Sequence, residues 1–191
     1  HYDSRGRLPG SWMAVLHSLQ KHGWQVVVSS SELAPEVQEQ LNIHRIPVLL
    51  RHNLGLCLGA YKDICCLLNE SDGVLDQRPQ VVLANDSTLP IGGPKRFIQV
   101  LSAMAEEQSK TTPQLDGMTD SIERDTYHLQ SYLLMANAPL LIHSSWKQFW
   151  DRFDLNGSKD DLINAGELGL SQALLLANVS LQASHSIVDC C

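Results

Sequence analysis

The sequence predicts an α/β fold. Short β-branched apolar runs alternate with segments whose apolar residues recur at helical spacing, and glycine and proline fall at the joints. One such run, Val81-Val82-Leu83-Ala84, ends abruptly in Asn85-Asp86-Ser87. A buried strand of this kind delivers polar residues to its carboxyl end, where ligands bind in open α/β sheets. A length of 191 residues suits one domain with a sizeable core, so we expect a single domain over 1–191.

Taken in order, Pro9 to His22 places Trp12, Val15, Leu16 and Leu19 on one helical face and stops at Gly23. Trp24 to Ser29 reads as a strand and Pro35 to Leu41 as a short helix. Ile46 to Leu50 is the next strand, Gly59 to Leu68 the next helix, and Gln80 to Ala84 the third strand. This βαβαβ order predicts a parallel, doubly wound sheet in the first half. Pro94 to Met104 reads as a helix and Glu106 to Gln114 as a surface loop. Leu115 to Ser121 and His128 to Met135 read as strands, Ser144 to Phe153 and Asp160 to Asn178 as helices.

Charge excludes one class of partner. The chain carries 14 Lys and Arg against 21 Asp and Glu, a net −7, with the excess acid concentrated after residue 95. No basic stripe exists for a nucleic-acid backbone, so no nucleic acid is expected. A local phosphate site near Arg5, Arg7, Arg45 or Arg51 stays open. No apolar run approaches a membrane span, and no signal peptide is visible. The five cysteines include the neighbours Cys65-Cys66 and Cys190-Cys191, and none has metal-ligand spacing. Reduced thiols and a cytoplasmic location follow as the expectation.

Several motifs bear on chemistry. In His128-Leu129-Gln130-Ser131-Tyr132, a period of two places His128, Gln130 and Tyr132 on one face. That face offers donors, acceptors and a stacking ring to a hydroxylated ligand, or simply faces solvent. Residues 51–59, RHNLGLCLG, follow a strand and open a helix. Gly55 and Gly59 permit close backbone approach there, although a plain βα turn explains them as well. Gly92-Gly93-Pro94-Lys95 is a proline-started helix rather than a phosphate loop. Asp154 to Asp160 lacks the anchoring carboxylates of a calcium loop. The sequons at Asn69, Asn85, Asn156 and Asn178 read as chance. Without a GxSxG elbow or an HExxH motif, Asp3, Asp86, Asp120 and Glu167 remain as candidate acids.

HYDSRGRL (1–8), RHNLGLCLGAYKD (51–63), VVLANDS (81–87), GMTDS (117–121), HLQSY (128–132) and ELGLSQ (167–172) together resemble the rhamnan synthesis F family of bacterial polysaccharide glycosyltransferase-like proteins. The resemblance implies a GT-A-like fold, Rossmann-like in its first half, with a mixed central sheet flanked by helices and an acidic motif after a central strand. It implies a nucleotide-sugar donor, a saccharide acceptor and peripheral association with polysaccharide assembly machinery. Asp86 would hold Mg²⁺ or Mn²⁺ against the donor diphosphate, with Asn85 and Ser87 orienting it or touching the sugar. Tyr2 and Asp3 would lie by the base and ribose, and Arg51, Asn53, Gly55 and Gly59 would form a substrate-binding turn. Asp120, His128 and Gln130 would line the acceptor side, Thr119 and Tyr132 would also bind substrate, and Asp86, Asp120 and Glu167 are the catalytic candidates. Two positions depart from the family pattern: Cys57 replaces the acid of NxGxDxG, and NDS supplies one carboxylate rather than two. The alternative is therefore a non-catalytic GT-A-like carbohydrate-binding or scaffolding domain.

Overall fold

The computed structural model describes residues 3–70, 80–88 and 92–187. Its elements run α1 (Gly10–Lys21), β1 (Val28–Ser30), α2 (Pro35–Ile43), β2 (Val48–Leu50), α3 (Leu56–Glu70), β3 (Gln80–Ala84), α4 (Gly93–Glu107) and β4 (Gln114–Ser121). They continue with β5 (His128–Leu129), β6 (Leu133–Asn137), α5 (Ala138–Leu141), α6 (Ser144–Arg152), α7 (Lys159–Leu162), a π-helical stretch Ile163–Leu168, α8 (Gly169–Leu176) and β7 (Ser180–His185). The chain is α/β, and its contacts divide it into two compact units.

The first unit comprises residues 1–53 and 86–103. Here β1 and β2 pair in parallel, with Val28 opposite Val48, joined by α2. Val28, Leu41 and Ile46 form its buried centre, with Met13, Leu16 and Val37 packed around them. On α1, Trp12 meets Phe97 of α4 edge to face at 5.8 Å, a favoured geometry for aromatic pairs.

The second unit comprises residues 54–85 and 104–191. Its sheet is mixed: β3 and β4 both run antiparallel to β6, and β7 runs parallel to β4. The parallel pairing expected in the first half thus holds for β1 and β2 but not for β3, and the doubly wound sheet does not form. The third strand has the bounds read from sequence, yet it pairs antiparallel with β6, its residues Gln80 to Ala84 facing Asn137 to Leu133 far along the chain. Trp146 and Trp150 of α6, 1% and 0% exposed, anchor the core with Leu58, Tyr61, Leu134 and Leu174. Lys62 caps the end of α6, its Nζ donating to the carbonyls of Asp151 and Phe153.

Four further expectations change. The segment 128–135 is not one strand: Gly117 faces Leu134 and Asp120 faces Leu129, so five steps on the return strand span three on β4. The two extra residues form a bulge over Gln130 to Tyr132. The segment 106–114 is no free surface loop, because α4 runs to Glu107 and Asn137 Nδ2 binds the carbonyls of Ser109 and Thr112. The long helix over 160–178 is interrupted by the π stretch, and β7 and α5 are additional elements. Gly166 sits within that stretch where a Cβ would collide with Leu58 and Phe153 of the core.

Candidate functional site

The bulge draws polar side chains together because its extra residues leave strand geometry and need partners elsewhere. Asn85, at the carboxyl end of β3, donates its backbone N–H to the Tyr132 carbonyl at 3.1 Å. Thr119 of β4 donates its hydroxyl to Gln130 Oε1 at 2.6 Å and lies 2.9 Å from the Tyr132 hydroxyl. A hydroxyl has one hydrogen, so with that of Thr119 given to Gln130, Tyr132 is the donor in the second bond. The chain of bonds runs Tyr132 to Thr119 to Gln130. It leaves the two Nε2 hydrogens of Gln130 and the Tyr132 hydroxyl oxygen as donor and acceptor for a ligand. All three side chains are half-buried.

Behind them a second set fixes the bulge. Ser131 donates to Glu167 Oε2 at 2.8 Å, and the Tyr61 hydroxyl donates to the Ser131 carbonyl at 2.9 Å. On α8, Ser171 Oγ accepts the Leu129 amide and Gln172 Nε2 donates to the Tyr127 carbonyl. Glu167 lies in the π stretch, a distortion of helices that recurs at functional sites. His128 Nδ1 is 2.8 Å from the Thr126 carbonyl; a carbonyl only accepts, so that nitrogen carries the hydrogen. Its Nε2 then faces Glu167 Oε1 at 3.9 Å, and its side chain is 3% exposed. His128 is therefore part of the buried support, not of the open polar face that period two predicts.

The other sequence-predicted residues divide between the two units. Asp120 is 7% exposed, and both oxygens are engaged, Oδ2 by the Ser186 hydroxyl and Oδ1 by the Ile187 amide. It ties the end of β7 rather than facing an acceptor. Burial and the nearby Asp120 charge push the Tyr127 phenol up. Gly55 has φ +71 and packs so closely on Leu155 and Gly59 that a Cβ would lie 2.6 Å from Leu155 Cδ2; the turn serves packing. In the first unit, Asp3 accepts from the backbone of Arg5 and Arg7 and from the Arg7 guanidinium. Those bonds hold its carboxyl down at about 2, and they spend it on its own turn. Arg51 and Asn53 follow β2, with the Arg51 amide bonded to the Ser30 carbonyl. Asp86 is half-buried and Ser87 exposed in the turn after β3. Tyr2, Cys190 and Cys191 lie outside the described residues.

The chemistry of these donor sets does not favour a metal at Asp86. Among the described residues no three His, Cys, Asp or Glu side chains group to hold an ion. Cys57 packs against the core of the second unit, and Cys65 is buried there, its thiol pushed well up by burial. The calcium-like loop spends its acids locally: Asp154 binds Asn156, and Asp161 completes a capping box with Ser158. No helix among the described residues is long and apolar enough to cross a membrane.

No protein-family model matches the chain, and no curated protein sequence matches it.

Ser131, Tyr61, Ser171 and Gln172 are the site-forming residues that sequence reasoning missed. Ser171 stands one helical turn after Glu167, and that spacing is the signal that could have found it.

Proposed function

We propose that this chain is a GT-A-like glycosyltransferase domain that moves a sugar from a nucleotide-sugar donor to a polysaccharide acceptor. The observation that carries the reading is the Tyr132–Thr119–Gln130 chain at the bulge, which offers a fixed pair of donors and a fixed acceptor at a half-buried strand end. Sugar hydroxyls both donate and accept, and a pre-oriented amide with a tyrosine ring satisfies them with little reorganisation. Glu167, bound to the same bulge through Ser131, is the candidate base for the acceptor hydroxyl. The mixed sheet and the NDS turn after β3 agree with this reading.

A second reading, a carbohydrate-binding domain without chemistry, is favoured by Cys57. Its side chain packs on the core where the resemblance asks for an acid, and no three-ligand group compensates for that charge among the described residues.

A panel of UDP-, GDP- and dTDP-sugars read by thermal shift, with and without Mn²⁺ and with oligosaccharides, tests both. Transfer that Glu167→Gln abolishes, with acceptor binding retained, supports the first reading. Saccharide binding that Gln130→Ala weakens, without donor binding, supports the second. Binding of neither class defeats both.

A further inference from the structure

Strand β7 forms an open edge of the mixed sheet. It pairs with β4 and, among the described residues, with no other strand. In a parallel ladder the backbone groups of successive residues turn to opposite sides. Ser180 donates its N–H to the Pro113 carbonyl, so Ser180, Gln182 and Ser184 face β4, and the N–H and C=O groups of Leu181, Ala183 and His185 face outward. These outward groups have no backbone partner among the described residues.

A row of unpaired backbone groups templates another strand, and natural edges are blunted against this by lysine, proline or a bulge. Here none of these devices is present. Ser180-Leu181-Gln182-Ala183-Ser184-His185 contains no proline and no lysine, and its register against β4 runs evenly from Gln114 opposite Ser180 to Thr119 opposite His185. The two sides of the edge differ in character. On one, the end of α4 brings Glu107 beside Gln182, Ala183 and Ser184, and Glu106 next to it is also exposed. On the other, Leu181 and Ala183 pack on the core with Leu174 of α8, and α8 ends in Leu175 and Leu176, 39% and 85% exposed. The second unit holds 16 Asp and Glu against 7 Lys and Arg in its sequence.

We propose that the β7 edge is a docking strand for an extended, basic segment of another protein, which adds to the sheet beside Leu181, Ala183 and His185. In strand addition the main chain supplies affinity and alternate side chains supply specificity. Successive side chains of the added strand point to opposite faces, so Lys or Arg at every second position falls on the Glu107 side and apolar residues between them fall on the α8 side. Charge selects this occupant over a second copy of the chain. Two β7 strands paired antiparallel in one continuous sheet would put both Glu107 side chains on the same face and join two acidic units, and like charges brought together across an interface are costly.

The test titrates the whole chain with two short blocked peptides, one alternating Lys and Val and the other alternating Glu and Val. The Lys-Val peptide should bind by calorimetry, weaken several-fold in 0.5 M NaCl, and slow hydrogen exchange at the Leu181, Ala183 and His185 amides. Ala183→Pro removes an outward N–H without touching the β4 ladder, so it should abolish binding while unfolding stays cooperative. Glu107→Lys should weaken the Lys-Val peptide about tenfold and serves as the decisive variant if Ala183→Pro does not fold. No binding of the Lys-Val peptide, equal binding of the two peptides, or binding undiminished in these variants overturns the proposal. Self-association that Ala183→Pro removes, without peptide binding, overturns it too and assigns the edge to a second copy.

Discussion

Asp116 and Asp120 stand one above the other along β4, four residues apart and almost equally buried at 4% and 7% exposure. Their surroundings differ. Asp120 receives the Ser186 hydroxyl at 2.8 Å and the Ile187 amide at 2.6 Å, one on each oxygen. Asp116 receives one amide on one oxygen, and its neighbour Glu107 is another acid. Burial alone therefore does not tell what a carboxylate does for a fold; satisfaction of its oxygens does. One acid fastens a strand, and the other sits buried near a second acid.

Breaking the satisfied acid should have the larger effect. Asp120→Ala withdraws a charged acceptor from the Ile187 amide and the Ser186 hydroxyl, and we expect a loss of roughly 2–3 kcal/mol in urea unfolding. Hydrogen exchange should quicken most in β7, whose end this acid holds. A loss below about 0.5 kcal/mol would place Asp120 with ordinary surface acids.

Relieving the unsatisfied acid should work in the opposite direction. Asp116→Asn keeps the shape and the hydrogen-bonding capacity but carries no charge, so it should raise the melting temperature at pH 7. The sign follows from the upward shift of the folded carboxyl. Stability that Asp116 contributes is fully present below its unfolded value of about 3.9 and is lost as pH rises through the higher folded value. The advantage of the variant should therefore vanish near pH 4. A melting-temperature difference that stays flat between pH 4 and pH 7 would show that Asp116 is not strained.

Neither acid's role was legible in the sequence, and the reason is physical. Local periodicity carries the helices and the bounds of β3, because both are set by residues within a few positions. Pairing is non-local. Nothing in Val81 to Ala84 says that the partner is antiparallel β6, and Ser180 to His185 is a polar, mostly exposed edge strand with no apolar run to announce it. The bulge defeats period two outright, since its extra residues change which side chains meet. Gln130 and Tyr132 were legible as a polar pair because their types and period-two spacing suggest hydroxyl recognition, whereas Thr119 entered only through the resemblance. His128 belongs to the same segment, yet its Nδ1 is claimed by Thr126, two residues away, a turn that sequence pattern does not encode.

Asp3 sharpens the contrast from the exposed side. It has more hydrogen bonds than either β4 acid, four in all from Arg5 and Arg7, and its carboxyl is held down at about 2. If bond count governed stability, Asp3→Asn would be the most damaging of the three changes. It should be the least. The bonds close within a turn of five residues and the Arg7 side chain is 63% exposed, so water replaces the lost partners and salt screens the pair. A depressed carboxyl contributes stability above its unfolded value and loses it as pH falls through the folded one, so any effect of Asp3 should appear between about pH 4 and pH 2. We expect the melting curves of the wild type and Asp3→Asn to coincide at pH 7 and in 0.5 M NaCl. A large drop at neutral pH would mean that this turn is buried against something in solution, and that Asp3 belongs with Asp120 as a fastening acid.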